Sequence, residues 1–185
     1  MTAEERSVAF SATTITELMI PAYANFGGKI HGGIILSLMD KAAYACASKH
    51  AGTYCVTVAV NNVEFLQPVD VGDLVHLKAS VNHVGRTSIV VGIKVIAENV
   101  KLGLVKHTNT SYFTMVAKDD DGKLTQVPRL VLEKEDEIRR FTEALQLKKL
   151  KSSFNDEFEK AKKGFNLMEE IDKLKDERCT VRLTE

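Results

Sequence analysis

The sequence predicts an α+β domain in which a curved antiparallel β-sheet wraps around one central, buried helix, with a helical extension at the C-terminal end. Three observations predict this architecture. The stretch 33–49 is rich in Leu, Met and Ala and apolar on nearly every face, as in a helix that is buried all round. β-rich segments separated by Gly, Asp and Asn turn signals follow it. After Pro128 the sequence becomes charged and helix-prone.

Length and charge limit the number of domains and the classes of partner. With 185 residues and 44% apolar composition the chain can bury one substantial core, so we expect one domain over residues 1–130 and an appendage over residues 131–185. Lys plus Arg equals Asp plus Glu at 25 each, so no net charge favours nucleic acid or an anionic membrane. We therefore expect neither as a partner.

Cysteine usage and hydropathy predict the compartment. The three cysteines form no CxxC pair, and residues 1–11 carry no apolar signal peptide, which indicates a reducing compartment. The longest mainly apolar run, residues 32–47, is interrupted by charged side chains and is too short to cross a bilayer. The prediction is a soluble, cytoplasmic protein.

The elements follow from local patterns. Residues 13–20 are predicted to form a short strand or a lead-in segment that ends at Pro21, which donates no N–H. The buried helix is predicted over residues 33–49. Five antiparallel strands are predicted over residues 53–66, 74–84, 87–97, 106–118 and 123–127. In the first of them the apolar phase shifts near Asn61-Asn62, which predicts a β-bulge.

Apolar residues in the rest of the chain predict packing rather than ligand binding. After Pro128, the large apolar residues recur at approximately helical intervals, which predicts one or two amphipathic helices whose charged face meets water or another subunit. These residues are Phe141, Leu145, Leu150, Phe154 and Phe158. Within the domain, Tyr44, Phe65 and Phe113 are expected in the core, since large aromatic side chains mostly provide buried area.

Asp40 is an acid in the middle of the predicted buried helix. Its neighbours one helical turn away, including Leu36 and Ala43, are apolar. Burial there would disfavour the charged carboxylate and make it a stronger base, a situation common in active sites. The alternative is that Asp40 and Lys41 mark the one exposed edge of the helix. Periodicity alone does not decide between the two.

A loop with four glycines, residues 25–33, precedes the helix. It lacks the Lys-Ser/Thr ending of a phosphate-binding P-loop, so nucleoside triphosphate binding is not expected, and a tight turn is the plain alternative. Gly32 and Gly33 open the helix, where free backbone N–H groups and the helix dipole favour negative charge. These N–H groups are candidates for an oxyanion hole.

Helix geometry limits how Gly32 and Asp40 act together. They are eight residues apart, or about 12 Å at roughly 1.5 Å per residue. A reacting carbonyl carbon must lie on the order of 3 Å from both its oxyanion donor and its base. If both residues act, they must therefore come from different subunits whose helices run antiparallel about a two-fold axis.

Four motifs, in order along the chain, carry a resemblance to a known family. They are Ala24-Asn25-x-x-Gly28-x-x-His31-Gly32-Gly33 with Leu38-Met39-Asp40, Val63-x-Phe65-x-x-Pro68-Val69-x-Val71-Gly72-Asp73, Gly85-Arg86-Thr87-Ser88, and Thr108-Asn109-Thr110-x-Tyr112 with Val127-Pro128. Over roughly residues 13–130 this ordered set resembles the hotdog-fold acyl-CoA thioesterases, particularly the cytosolic acyl-CoA hydrolase group. The resemblance implies the hotdog fold, a curved antiparallel sheet wrapped around a central helix.

The resemblance also implies a role for each matching residue. Asp40 would be the catalytic carboxylate, acting as a general base on water or as a nucleophile. Asn25 would orient water or the thioester carbonyl, and the Gly32 N–H would hold the oxyanion, both donated by the neighbouring subunit. His31 and Gly33 would flank the site as substrate-binding positions.

Coenzyme A needs cationic or backbone contacts for its phosphates. By resemblance, Arg86, Thr87 and Ser88 lie in the family's coenzyme A-contacting region, and a polar hairpin turn is the alternative interpretation. Lys29 and Lys106 are further candidates for phosphate neighbours.

The implied activity is hydrolysis of acyl-CoA to free fatty acid and coenzyme A by a homodimer that assembles into a hexamer, a trimer of dimers. No cofactor is expected beyond the coenzyme A of the substrate, and the spacing of the histidines predicts no metal site. Two other functions stay open. A hotdog hydratase or dehydratase would rely on a His with Asp or Glu, and a non-catalytic acyl-CoA-binding or sensing protein would bind without turnover.

Overall fold

The computed structural model describes residues 5–61 and 63–183. The helices are α1 (Val8–Ser11), α2 (Gly32–Ala51), α3 (Glu135–Lys163) and α4 (Leu167–Lys173), with 3-10 turns at Pro21–Tyr23 and Leu174–Asp176. The strands are β1 (Glu5–Ser7), β2 (Thr13–Leu18), β3 (Tyr54–Asn61), β4 (Leu74–Val84), β5 (Ser88–Asn99), β6 (Leu104–Lys118) and β7 (Arg129–Val131). The predicted α+β class, with one long helix against an antiparallel sheet, is confirmed.

Five strands form one antiparallel sheet in the order β2-β4-β5-β6-β3. Side chains alternate between its faces, as along β4, where Val75, Leu77, Ala79 and Val81 are buried. The buried face packs on α2 and forms the core. In the described part of the chain, β3 has no strand on its outer side, so it is an edge of the sheet.

A second, two-stranded sheet pairs β1 with β7 in parallel. Arg6, on β1, donates from Nη1 to the carbonyls of Lys49 and His50 at 2.6 and 2.9 Å. Those carbonyls belong to the last turn of α2, which has no intrahelical partners for its carbonyls and carries a partial negative charge. The arginine therefore caps the C-terminal end of α2. The helix itself ends at Gly52, which adopts the left-handed conformation at φ 73°.

Most of α2 is buried, but one stripe is exposed. Ile35, Leu38, Met39, Ala42, Ala43, Cys46 and Ala47 are among its buried residues. Gly33, Ser37, Asp40, Lys41 and Tyr44 recur at intervals of three or four residues and are all exposed. The prediction of a helix buried on nearly every face is therefore wrong along this stripe. The alternative, in which Asp40 and Lys41 mark an exposed edge, describes the single chain.

The predicted strands differ from the observed sheet at its edge. The prediction for residues 74–84 coincides with β4. Residues 123–127 form no strand, because only Leu124 pairs, in an isolated bridge to Lys118. The fifth strand of the sheet is instead β2, within the segment predicted as a short strand or lead-in. Composition does not identify an edge strand, since its stability comes from the neighbour with which it pairs.

The bulge in β3 lies earlier than predicted. The pairing of β3 with β6 shifts register between Thr57 and Ala59. Asn61 pairs regularly with Tyr112, so the predicted position near Asn61 is wrong, and Asn62 lies outside the described residues. Val58 and Val60 are exposed, so the apolar residues of β3 do not mark the buried face of the strand.

The C-terminal part contains two helices, α3 and α4. The chain divides into two compact units, Met1–Ala144 and Leu145–Glu185. The division into a domain over residues 1–130 and an appendage over residues 131–185 stays a prediction. The first turns of α3 belong to the first unit and bury Glu137 and Ala144. Within residues 145–183 no residue is buried, so the apolar residues predicted to form an amphipathic face are exposed there. Among the described residues, no helix combines the length and apolar character that a membrane span requires.

Replacing a core residue of α2 tests this assignment of buried and exposed faces. Met39 is 0% exposed, so Met39→Ala is expected to lower the free energy of unfolding by about 2–5 kcal/mol through lost burial and a cavity. The matched change Ser37→Ala, on the exposed stripe of the same helix, is expected to stay within about 0.5 kcal/mol. Urea denaturation at one fixed protein concentration measures both. Equal losses would contradict the assigned faces.

Candidate active site

The start of α2 leaves one backbone donor without an acceptor. His31 caps the helix: its Nδ1 accepts from the Gly33 N–H at 2.9 Å, and its carbonyl accepts from the Ile34 N–H at 2.9 Å. Among the described residues the Gly32 N–H has no acceptor. Gly32 is therefore the donor that this helix end offers to an anion. The N–H of Gly33 is already bonded, and a contact of His31 or Gly33 with substrate stays a prediction.

Asn25 lies in a tight hairpin just before α2. Its Oδ1 accepts from the N–H groups of Gly27 and Lys29, at 2.9 and 3.2 Å, while its own N–H donates to the Lys29 carbonyl at 2.7 Å. Two backbone donors on Oδ1 fix which side of the amide is oxygen. The exposed Nδ2 group is thus the part of Asn25 that can act on a ligand, as a donor to an oxygen atom.

The two lysines proposed as phosphate neighbours are engaged by carboxylates. Lys29 Nζ lies 2.5 Å from Asp70 Oδ1, and Lys106 Nζ lies 3.2 Å from Asp70 Oδ2 and 3.6 Å from Asp73 Oδ2. The hydrogen bond from Lys29 lowers the pKa of Asp70, helped by Lys106. The pair of Lys29 with Asp70 holds the glycine loop against the segment before β4. Carboxylates thus already neutralise the positive charge of both lysines, which a phosphate would otherwise use.

Asp40 lies in a second groove, between the exposed stripe of α2 and β3. The Thr57 hydroxyl donates to Asp40 Oδ1 at 2.6 Å, a charge-assisted bond that fixes the carboxylate. The groove, of about 350 Å³, is also lined by Tyr44, Tyr54 and Met115. Sequence reasoning missed Thr57, and its signal was the strand irregularity that occurs immediately after it.

A cysteine nucleophile does not fit this groove. Cys55 contributes to its lining but is buried, and burial raises the pKa of the Cys55 thiol. The other buried thiol, Cys46, has its pKa raised by burial to about 12. Only the thiolate is a good nucleophile, so burial disfavours the reactive form of both cysteines. The described residues also contain no cluster of three or more His, Cys, Asp or Glu that would hold a metal ion.

Gly32 and Asp40 line different grooves of the same chain. The groove at Gly32, of about 390 Å³, is formed by the start of α2 and residues 65–69, and none of its lining residues borders the groove at Asp40. A single chain thus keeps the Gly32 N–H and the Asp40 carboxylate in separate grooves. This agrees with the separation expected from the helix rise.

The remaining predicted site residues lie elsewhere. Arg86 and Thr87 lie in the turn of the β4–β5 hairpin, which Ser88 closes by accepting the Gly85 N–H on its carbonyl at 2.8 Å. The alternative interpretation of these residues as a polar hairpin turn is therefore confirmed for the backbone. A contact with coenzyme A stays a prediction. Of the aromatics expected in the core, Phe113 is buried, whereas Tyr44 and Phe65 are 43% and 52% exposed. The core prediction is wrong for both, and each borders one of the two grooves.

Comparison with known proteins connects this arrangement to a family. Residues 27–104 match the model of the Thioesterase superfamily. The chain is 44% identical over 135 residues to Protein VdlD of Helicobacter pylori, covering 73% of this chain and 77% of that one. It is 35% identical over 145 residues to an uncharacterized acyl-CoA thioester hydrolase, YkhA, of Bacillus subtilis, covering 78% and 84%.

Solved structures extend the similarity to the whole fold. A hexameric acyl-CoA thioesterase matches with a TM-score of 0.80 at 34% identity, over 82% of this chain and 97% of that one. An acyl-CoA hydrolase from Staphylococcus aureus, in complex with butyryl coenzyme A and coenzyme A, matches with a TM-score of 0.78 at 27% identity, over 86% and 97%.

That hydrolase has also been solved with an Asn, an Asp or a Thr replaced by Ala. The three replaced residues have the same spacing along their chain as Asn25, Asp40 and Thr57 have here. The family model, the identities over most of each relative and the shared architecture agree, and the chain belongs to the thioesterase superfamily, among its hotdog-fold acyl-CoA thioester hydrolases.

Proposed function

We propose that the protein hydrolyses acyl-CoA to a free fatty acid and coenzyme A at a site that two copies of the chain build together. The observation that carries the proposal is the separation of Gly32 and Asp40 into two grooves of one chain, each of which holds half of the groups that thioester hydrolysis needs. Relatives over most of the chain carry the names of acyl-CoA hydrolases, which supports the same substrate class here.

Asp40 of one copy acts as the general base. Thr57 occupies Oδ1 of the carboxylate, which leaves Oδ2 to accept a proton from water. The water oxygen attacks the thioester carbonyl carbon as its proton passes to Asp40, and the carbonyl electron pair moves onto oxygen. A tetrahedral adduct with one oxyanion forms.

Asn25 and Gly32 of the other copy stabilise that oxyanion. Both offer N–H donors, the Asn25 Nδ2 group and the Gly32 N–H, at the positive end of the α2 dipole. The adduct then re-forms its carbonyl and expels the sulfur of coenzyme A, which takes the proton from Asp40. The base is regenerated, and the reaction consumes only water, so no cofactor is required.

Exposed apolar surface next to Asp40 supports the second copy. Tyr44 on α2 and Tyr54 at the start of β3 have ring centroids 6.0 Å apart, and Val58 and Val60 continue this surface along the edge strand. Exposed apolar area on an edge strand is typical of an interface between subunits. A dimer that pairs these surfaces, and a hexamer built as a trimer of such dimers, fit the hexameric name of a similar structure.

Arg86, Thr87 and Ser88 are proposed to meet coenzyme A, since an exposed Arg in a hairpin turn can approach a phosphate of a neighbouring ligand. We place the protein in the cytoplasm and in fatty acid metabolism. The cysteines, none of which forms a disulfide, fit a reducing compartment.

Asp40→Asn tests the base. The variant keeps the shape of the side chain but cannot accept a proton, so kcat for thiol release from acyl-CoA is expected to fall about 10²- to 10⁴-fold. A thiol-trapping assay across acyl-CoA esters from acetyl to palmitoyl measures it. Asp120→Asn, at an exposed carboxylate in the turn after β6 that lines neither groove, is the control and should keep wild-type turnover. Undiminished turnover in Asp40→Asn would remove Asp40 from the mechanism.

Thr57→Val tests the bond that orients the base. Valine has nearly the same shape but no hydroxyl, so the charge-assisted bond to Asp40 is lost and kcat is expected to fall about ten- to a hundredfold. Thr57→Ser keeps the hydroxyl and is expected to remain within roughly threefold of wild type. The same thiol assay compares the two. Equal rates in Thr57→Val and Thr57→Ser would show that the hydroxyl does not contribute.

A further inference from the structure

The Phe65 ring packs against the N-terminal end of α2, where the proposed oxyanion donor lies. The side chain is nevertheless 52% exposed. A Cβ atom added at Gly32 would meet Phe65 Cζ at 3.0 Å and Cε1 at 3.2 Å, closer than ordinary contact. Only glycine at position 32 lets the ring come this near to the backbone. The ring is therefore in contact with the start of α2, beside the Gly32 N–H, for which the described residues supply no acceptor.

Two residues of β6 make hydrogen bonds to the segment that carries Phe65. Asn109, which is 0% exposed, donates from Nδ2 to the Glu64 carbonyl at 2.7 Å. The Leu66 N–H donates to the Thr108 carbonyl at 2.9 Å. The bonds on either side of Phe65 fix its backbone, and they join two sequence motifs, around Phe65 and around Asn109, that the proposed mechanism leaves without a role.

The burial of Asn109 has an energetic cost. Its Oδ1 is buried without a hydrogen-bond partner among the described residues. A half-satisfied buried amide destabilises the fold, and a buried apolar side chain of similar size would not carry this cost. The side-chain bond that Asn109 does make, to the Glu64 carbonyl, positions residue 64.

The groove beside Phe65 is suited to a hydrocarbon chain. Apart from Gly32, most of its lining is apolar: Ile30, Ile35, Leu66, Pro68 and Val69. The one cation on its rim, Lys29, is paired with Asp70. The pantetheine arm of coenzyme A has amide groups that need hydrogen-bond partners, whereas the methylene groups of an acyl chain gain from apolar surface.

We propose that Phe65 contacts the acyl group next to the thioester and so selects for chain length, and that Asn109 is the positioning residue that holds Phe65 there. The proposal rests on the proposed thioesterase function. The ring forms the wall of the groove next to the Gly32 N–H, so an acyl chain whose carbonyl oxygen accepts from that N–H passes along the ring. Acetyl has a single methyl group and so offers the ring much less apolar surface than a longer chain that runs along it.

The test compares kcat/KM for acetyl-, hexanoyl- and decanoyl-CoA in wild type, Phe65→Ala, Asn109→Ser and the double variant. Phe65→Ala is expected to lower kcat/KM about tenfold for the two longer esters and less than about twofold for acetyl-CoA. Asn109→Ser is expected to give the same pattern more weakly. The double variant should be no worse than Phe65→Ala, since two residues that act through one contact are not additive.

Controls separate this proposal from folding and from the proposed function. Phe10→Ala removes an equally exposed ring near the other end of α2 and should leave all three values unchanged. If Asn109→Ser folds poorly, Asn109→Gln takes its place. It keeps an amide donor but displaces it, so it should give the same weak loss for the two longer esters. Thermal unfolding monitors each variant.

Each remaining outcome has one meaning. Equal losses for all three esters, or none, in Phe65→Ala would overturn the contact with the acyl chain. Additive losses in the double variant would overturn the role of Asn109 as the residue that positions Phe65. Absence of thiol release by the wild type from any acyl-CoA would instead refute the proposed function itself.

Discussion

The rigidity of α2 is the constraint on which the rest depends. One helix carries both the Gly32 N–H and Asp40, and its regular rise keeps them about 12 Å apart, too far for both to reach one carbonyl group. Met39, Ala42 and Ala43 beside Asp40 are fully buried, so close packing opposes a bend in α2 that would bring the two groups together. A catalytic centre that uses both groups therefore requires a second helix end, which in the proposed site comes from a second copy of the chain.

The fold meets this requirement by leaving one stripe of α2 uncovered. The sheet covers the face of Ile35, Leu38 and Met39, while Asp40 and Tyr44 remain accessible next to β3. At the other end, the glycine loop is fixed by the pairs of Lys29 and Lys106 with Asp70, so the donors at Asn25 and Gly32 keep a defined geometry before any ligand binds. Preorganised donors of this kind stabilise a developing charge without a cost of reorientation.

Much of the fold could be predicted from the sequence, because local patterns determine it. The alternation in β4 and the composition of α2 depend on neighbouring residues alone, and both elements were predicted within about two residues. The failures depend on partners far away in sequence. The edge role of β2 requires β4, and the hydrogen bond of Thr57 requires Asp40 across the helix–strand interface. The exposure of Asp40, Tyr44 and Phe65 follows from where the sheet ends, which periodicity does not encode.

In the proposed enzyme, each site takes Asp40 from one chain and Asn25 with Gly32 from another. Asp40→Ala and Asn25→Ala, each of which is expected to be inactive alone, are co-expressed in equal amounts, and thiol release from acyl-CoA is measured on the mixed oligomers. In a shared site, about a quarter of all sites then combine an intact Asp40 with an intact Asn25, so about a quarter of wild-type activity should return. If both residues of a site came from the same chain, every site would keep one lesion, and activity that stays at the level of the separate variants would contradict the account.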